Sequence, residues 1–196
     1  MSLPIIVDPS SKRVSVDDSF YEGLPEEEAK DLSLKLEQLN TLHRALVGVN
    51  GDVPPPSDQI SGPLTTQVNK LRESGIQSLR QNKNAEAVKH LSLAIEMSLR
   101  RNPWEATKFL IDELAKSMGP RADAYIAQNM WPEAYNDAAM LTLLAPLDAK
   151  NHYRKGRCLQ SVQKYSEAKA SYAAGLSLSP MDSELKQALA EVSALE

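Results

Sequence analysis

A spacing of 34 residues recurs through the C-terminal part of the chain and limits the fold more than any other feature. Trp131 and Tyr165, Ala134 and Ala168, and Pro146 and Pro180 are each 34 residues apart. From residue 64 on, every long segment reads as helix, so each period holds one helix–turn–helix unit. In the last unit, the small Gly156 and Ala168 let two helices approach closely, and Tyr165 and Tyr172 fill the space between them. Pro180 then stops the second helix, because its ring lacks an N–H and crowds the preceding turn. The unit before it has Tyr125, Trp131, Ala134 and Pro146, with Ala122 in the glycine's place. An earlier unit has Gly75, Ala87, Leu91 and Ala94, and Ala87 to Ala134 is 47 residues, 13 more than the period. These additional residues are expected to lengthen helices around Arg100 to Leu114, beside a break at Asn102-Pro103. After Pro180, apolar Leu185, Leu189, Val192 and Leu195 mark a terminal helix that covers the open end of the stack.

The period and the residues placed on it resemble the tetratricopeptide repeat (TPR). The expected fold class is all-α: a TPR α-solenoid of three repeats plus a C-terminal capping helix over residues 64–196, the minimum stable array. The first helices of such units line a concave groove in which extended peptides lie. Binding is therefore expected, and catalysis is not.

The N-terminal part is built differently. Ile5, Ile6 and Val7 precede the turn-formers Asp8-Pro9-Ser10-Ser11, and Val14 and Val16 alternate with polar residues, so residues 3–16 read as a short hairpin. Pro25 stands where a first helical position is expected, followed by Glu26, Glu27 and Glu28 at the positive end of the dipole. Leu32, Leu36, Leu39, His43 and Leu46 then form one helical stripe. Gly48, Gly51 and Pro54-Pro55-Pro56 end it and read as a stiff linker. The expected division is a hairpin–helix docking module over 1–47, a Pro/Gly-rich linker over 48–63, and the TPR domain over 64–196. A lone hairpin is marginal in water and its open edges invite another chain. The module either folds back on the repeats or adds to a partner's sheet or groove.

Charge separates the same regions. The net −4 divides into −6 over residues 1–62 and +2 over residues 63–196. Neither value suits a phosphate-binding surface, so nucleic acid is not an expected partner. No stretch approaches the roughly 18 apolar residues of a membrane span, and Leu3-Pro4-Ile5-Ile6-Val7 is too short for a signal-peptide core.

Cations gather at one place. Pro146 to Arg157 carries four cations and one anion, and Lys150 and Arg154, four residues apart, share a helix face. Register against Gly156 turns that face to the groove, and Arg72, three residues before Gly75, faces inward from the first unit. Three converging cations would suit a pair of carboxylates. The run Gln67-Val68-Asn69-Lys70-Leu71-Arg72-Glu73-Ser74-Gly75 resembles the opening of the carboxylate-clamp TPR domains of cochaperones, which bind the C-terminal -EEVD tails of cytosolic heat-shock chaperones. By that resemblance Arg72, Lys150 and Arg154 are the peptide-carboxylate-binding residues, with Asn69 and Ile76 as further groove contacts. Ile76 and Pro120 stand where the family has asparagines. Losing two such partners, at roughly 1 kcal/mol each, predicts an affinity on the order of micromolar or weaker.

A second resemblance covers more of the chain. Glu86-Ala87-Val88-Lys89-His90-Leu91-Ser92-Leu93-Ala94-Ile95-Glu96-Met97, with Pro103-Trp104-Glu105-Ala106, looks like the peripheral TPR subunit of the fungal endoplasmic-reticulum Sec translocation complex. The order of hairpin, helix, Pro-rich linker and TPR domain agrees with it. The resemblance implies a non-enzymatic adaptor, peripheral on the cytosolic face of the endoplasmic reticulum membrane. Such an adaptor is anchored through a single-span membrane subunit and recruits the tail of a DnaK-class chaperone carrying a secretory precursor. The acidic N-terminal module would pair with the membrane subunit. The alternatives are a soluble cochaperone and a structural scaffold with a vacant groove.

No metal, cofactor or catalytic residue is expected. His43, His90 and His152 lie in different units without metal-ligand spacing. Cys158 is the single cysteine and reads as a buried small hydrophobe, and Trp104 and Trp131 as packing residues. Phosphate loops, zinc helices and nucleophile elbows are missing.

Overall fold

The structure, a computed structural model, describes residues 5–51 and 53–195. Residues 3 and 4 of the expected hairpin lie outside the described residues. The chain divides into two compact units, Met1–Gln59 with Asn102–Glu105, and Ile60–Arg101 with Ala106–Glu196.

The first unit opens on β1 (Ile5–Val7) and β2 (Val14–Val16), which pair antiparallel with Ile5 opposite Val16 and Val7 opposite Val14. Asp8 holds the turn: its Oδ1 accepts the backbone N–H groups of Ser10 at 2.8 Å and Ser11 at 2.7 Å. The Ser10 hydroxyl, together with those amides, keeps the Asp8 carboxyl well below the usual carboxylate range. A short helix α1 (Asp18–Glu22), capped by the Asp17 carboxylate, was too brief to leave a periodic signal.

Next comes α2 (Glu26–Gly48), with Glu26, Glu27 and Glu28 in its first turn. Pro25 is its N-cap rather than its first helical residue, one position from the expectation. Asn40 fastens strand to helix, with Nδ2 donating to the Val14 carbonyl and Oδ1 accepting the Val14 N–H, both at 2.8 Å. The side-chain amide thus takes the place of a neighbouring strand along β2. The expected stripe is partly covered: Leu32, Leu36, His43 and Leu46 are half-buried and Leu39 is exposed.

The second unit is a run of paired helices. α3 (Gly62–Arg80) pairs with α4 (Asn84–Ser98), α5 (Thr107–Ala127) with α6 (Trp131–Leu144), and α7 (Ala149–Ser161) with α8 (Tyr165–Leu178); α9 (Ser183–Ser193) covers the end. Each helix packs on the next, and α3 also on α5, α5 on α7, and α7 on α9, which is the stacking of a solenoid. The core is made where the sequence placed small and aromatic residues. Ala87, Leu91 and Ala124 cluster in one layer, and Ala168, Tyr172, Leu185 and Val192 in another.

The glycines are required by contact distance. A Cβ on Gly75 would lie 2.5 Å from Leu91 Cγ, and one on Gly156 2.4 Å from Tyr172 Cε1. In every unit the turn between the helices passes through one left-handed residue: Asn82 at φ 57°, Asn129 at 58° and Gln163 at 62°. The next amide then reaches back, Lys83 to the Ser78 carbonyl at 2.9 Å, Met130 to Tyr125 at 3.0 Å and Lys164 to Leu159 at 2.9 Å. These bonds satisfy the orphan carbonyls at the end of each first helix.

The 13-residue insertion lengthens one of the two helices beside it, within the expected Arg100–Leu114, and otherwise lengthens the connection between them. α4 has 15 residues, close to the 14 of α6 and α8, so it is not lengthened. α5 is, with 21 residues against 13 in α7, while α3, before the insertion, has 19. The break beside Asn102-Pro103 is real, because proline cannot donate to a continuing helix and biases its predecessor away from helical angles. Pro120 lies inside α5, where it has no N–H to give the Lys116 carbonyl.

Candidate peptide-binding groove

The first helices α3 and α7 carry every expected site residue, and the structure distributes them over distinct environments. Asn69 and Arg72, one turn apart on α3, line a cavity of about 190 Å³ between α3 and α5. Thr65, Arg101, Glu113 and Lys116 line it too. Ile76, a turn further along α3, opens instead into a shallow hollow of about 570 Å³ shared with Glu73, Gln77 and His90. Lys150 is exposed near the start of α7, and its backbone N–H is capped by the Asp148 carboxylate at 3.0 Å. Among the described residues, neither Arg72 nor Lys150 makes an ion pair.

Arg154 differs. Its Nε and Nη2 each donate to one oxygen of the Asp123 carboxylate at 2.7 Å, and its Nη1 donates to Asn151 Oδ1 at 3.1 Å. The guanidinium lies against Gly119, where a Cβ would stand 3.4 Å from Nη1, an ordinary contact. Burial works against its charge, but the Asp123 hydrogen bonds and charge outweigh that and raise its pKa above the usual arginine value. Asn151 is 2% exposed and anchors the group, donating through Nδ2 to the Ala145 carbonyl at 3.1 Å. A network therefore runs from α5 through the Arg154 fork to the end of α6.

Two further arginine–carboxylate forks radiate from α5. Arg101 donates through Nε to Glu113 at 2.9 Å and through Nη2 to Thr65 at 2.7 Å. The side chains of this pair are 4% and 7% exposed. Arg121 grips Asp137 at 2.8 and 2.6 Å and reaches Ser92 at 3.0 Å. Lys116, beside Arg72 in the cavity, is paired with Asp112 at 2.7 Å on the surface. Of the five groove cations Arg72, Arg101, Lys116, Lys150 and Arg154, internal carboxylates thus neutralise three.

Sequence reasoning overlooked Asp123, Asn151 and Lys116. A signal was present for Asp123: it follows Ala122 as Ile76 follows Gly75, so it occupies in the second unit the position Ile76 holds in the first. His152 has its Nε2 3.0 Å from the Pro146 carbonyl. Cys158 is 1% exposed, and burial, partly offset by Arg157, pushes its thiol up to about 11.

No family model matches the chain. Translocation protein SEC72 of Saccharomyces cerevisiae is 33% identical over 157 residues, covering 80% of this chain and 80% of that protein. The chain belongs to the SEC72 family. A chain in the cryo-electron-microscopy structure of the Sec complex from S. cerevisiae superposes with a TM-score of 0.78 at 29% identity, covering 97% of this chain and 96% of that one. The structural likeness to that chain therefore spans nearly the whole of this one, hairpin and α2 included. The first TPR of Spaghetti (RPAP3), solved bound to the HSP90 peptide SRMEEVD, has a TM-score of 0.55 at 24% identity over 66% of this chain and 93% of its own, and shows the shared TPR fold. The protein is a TPR member of a translocation-subunit family, and no helix among its described residues is long and apolar enough to cross a membrane.

Proposed function

We propose that this protein is a non-enzymatic adaptor, peripheral on the cytosolic face of the endoplasmic-reticulum translocation machinery. Its groove binds the acidic -EEVD-type tail of a cytosolic DnaK-class chaperone that delivers secretory precursors. Residues 1–47 dock onto a single-span membrane subunit, 48–63 act as a linker, and 64–196 carry the tail. Family membership supports the setting, and the RPAP3 domain offers an -EEVD peptide bound on the same fold.

The observation that carries the tail reading is the pair of cations without internal partners, Arg72 on α3 and Lys150 on α7. They suit a peptide with two carboxylates, its terminus and its last side chain. Arg154 adds the Nη1/Nη2 side of its guanidinium, where Nη1 already donates to Asn151; Asn69 lies beside Arg72, and Ile76 is a further contact along α3. A labelled decapeptide ending in -EEVD, titrated against the intact chain, is expected to bind with salt-sensitive affinity. Lys150→Ala with Arg154→Ala should weaken binding at least about tenfold, or 1.4 kcal/mol. No binding by the folded intact chain would favour the scaffold reading, which the Asp123–Arg154 pair already supports. As for catalysis, Cys158 should resist alkylation at pH 8 in the native state, since burial holds it as the thiol; rapid labelling would contradict the non-enzymatic reading.

A further inference from the structure

We infer that Asp123 is an internal competitor of the bound tail and sets the affinity of the groove. The inference rests on the tail reading above and deepens it. A guanidinium presents two bidentate edges, and the Nε/Nη2 edge of Arg154 is the one Asp123 occupies, at 2.7 Å to each oxygen. That leaves an incoming carboxylate only the Nη1/Nη2 edge, whose Nη1 already gives one hydrogen to Asn151, beside a negative charge already in place.

Three features make Asp123 a competitor rather than a buried strut. Its side chain is 42% exposed while that of Arg154 is 14% exposed, so the carboxylate faces solvent and an approaching anion meets it. It lies on α5, one of the first helices of the units, and its carboxylate reaches across to Arg154 on α7, so the pair spans two first helices. Arg154 does not depend on it for placement alone: Asn151, buried and tied to the Ala145 carbonyl, holds Nη1, and Gly119 gives the guanidinium a flat surface. Removing the charge while keeping an amide acceptor should thus leave the arginine in place and unneutralised.

The test is the tail titration repeated with Asp123→Asn and Asp123→Ser, each at low and high salt, with thermal melts to show that the chains are folded. Removing one repulsive charge a few ångströms from the ligand should tighten binding about three- to tenfold at low salt. The gain should shrink at high salt, because screening shortens the reach of the charge that was removed. Lys150→Ala should weaken binding on either background. If the intact chain binds and both Asp123 variants bind equally or more weakly, Asp123 positions Arg154 and the inference fails while the tail reading stands. If no folded chain binds the decapeptide, the tail reading fails and this inference with it.

Discussion

The two units of this molecule use similar residues to opposite ends. In the repeat unit, Val68, Leu91, Leu141, Tyr172, Leu185 and Val192 are at most 1% exposed. In the N-terminal unit, Val16 at 9% is the only buried apolar residue among those described, while Ile5, Ile6, Val7, Phe20, Leu34 and Leu39 are all more than 40% exposed. Burying a Val or Leu side chain is worth roughly 1.5–3 kcal/mol, so the repeats gain repeatedly what the hairpin and α2 leave ungained. One unit buries its apolar side chains within itself. The other leaves most of its large apolar side chains exposed among the described residues, which suits the proposed docking role.

The comparison can be broken first at the repeat core. Gly156→Ala places a methyl 2.4 Å from a ring carbon of Tyr172, a side chain with no exposed surface. The array should lose about 3 kcal/mol, read by urea unfolding. A change in stability below experimental error would mean that the helices can separate without loss. In the N-terminal unit the corresponding anchor is polar. Asn40→Leu removes both bonds to Val14, at about 1 kcal/mol each. It should release the hairpin amides to exchange while leaving the unfolding of the repeats unchanged. A cooperative loss of the whole fold would show that the two units are not independent.

A smaller effect sharpens the account of the turns. Gln163 holds φ at 62°, where Asn82 and Asn129 stand in the other units. Asparagine tolerates this region better than glutamine, so Gln163→Asn should raise stability by about 0.5 kcal/mol. No gain would mean that the turn is held by its backbone bonds alone.

How much was readable from sequence follows the same division. The repeats were legible because small residues, aromatics and prolines recur at one period, and Gly75 and Gly156 make the close contacts their spacing implied. The hairpin was legible from Asp8 and the alternating valines. Asn40 was not, because a polar residue on an amphipathic helix gives no sign that it will serve as a strand edge. Register set Arg72 on α3 and Lys150 and Arg154 on α7, but the Asp123 carboxylate that pairs with Arg154 could not be read. Which cation is neutralised depends on the lateral stacking of α5 against α7, a long-range contact that one-dimensional spacing does not encode. The insertion was legible in length and place from the Ala87–Ala134 spacing, but not in its division between α5 and the connection before it, which follows from where Pro103 interrupts the chain.

Hydrogen exchange of the intact chain, alone and saturated with an -EEVD decapeptide, tests the division of labour most directly. The account predicts strong protection in α4, α6 and α8, fast exchange across Glu26–Gly48, and slowing by the peptide confined to α3, α5 and α7. Equal protection of α2 and α4 in the chain alone, or slowing by the peptide centred on residues 5–51, would contradict it.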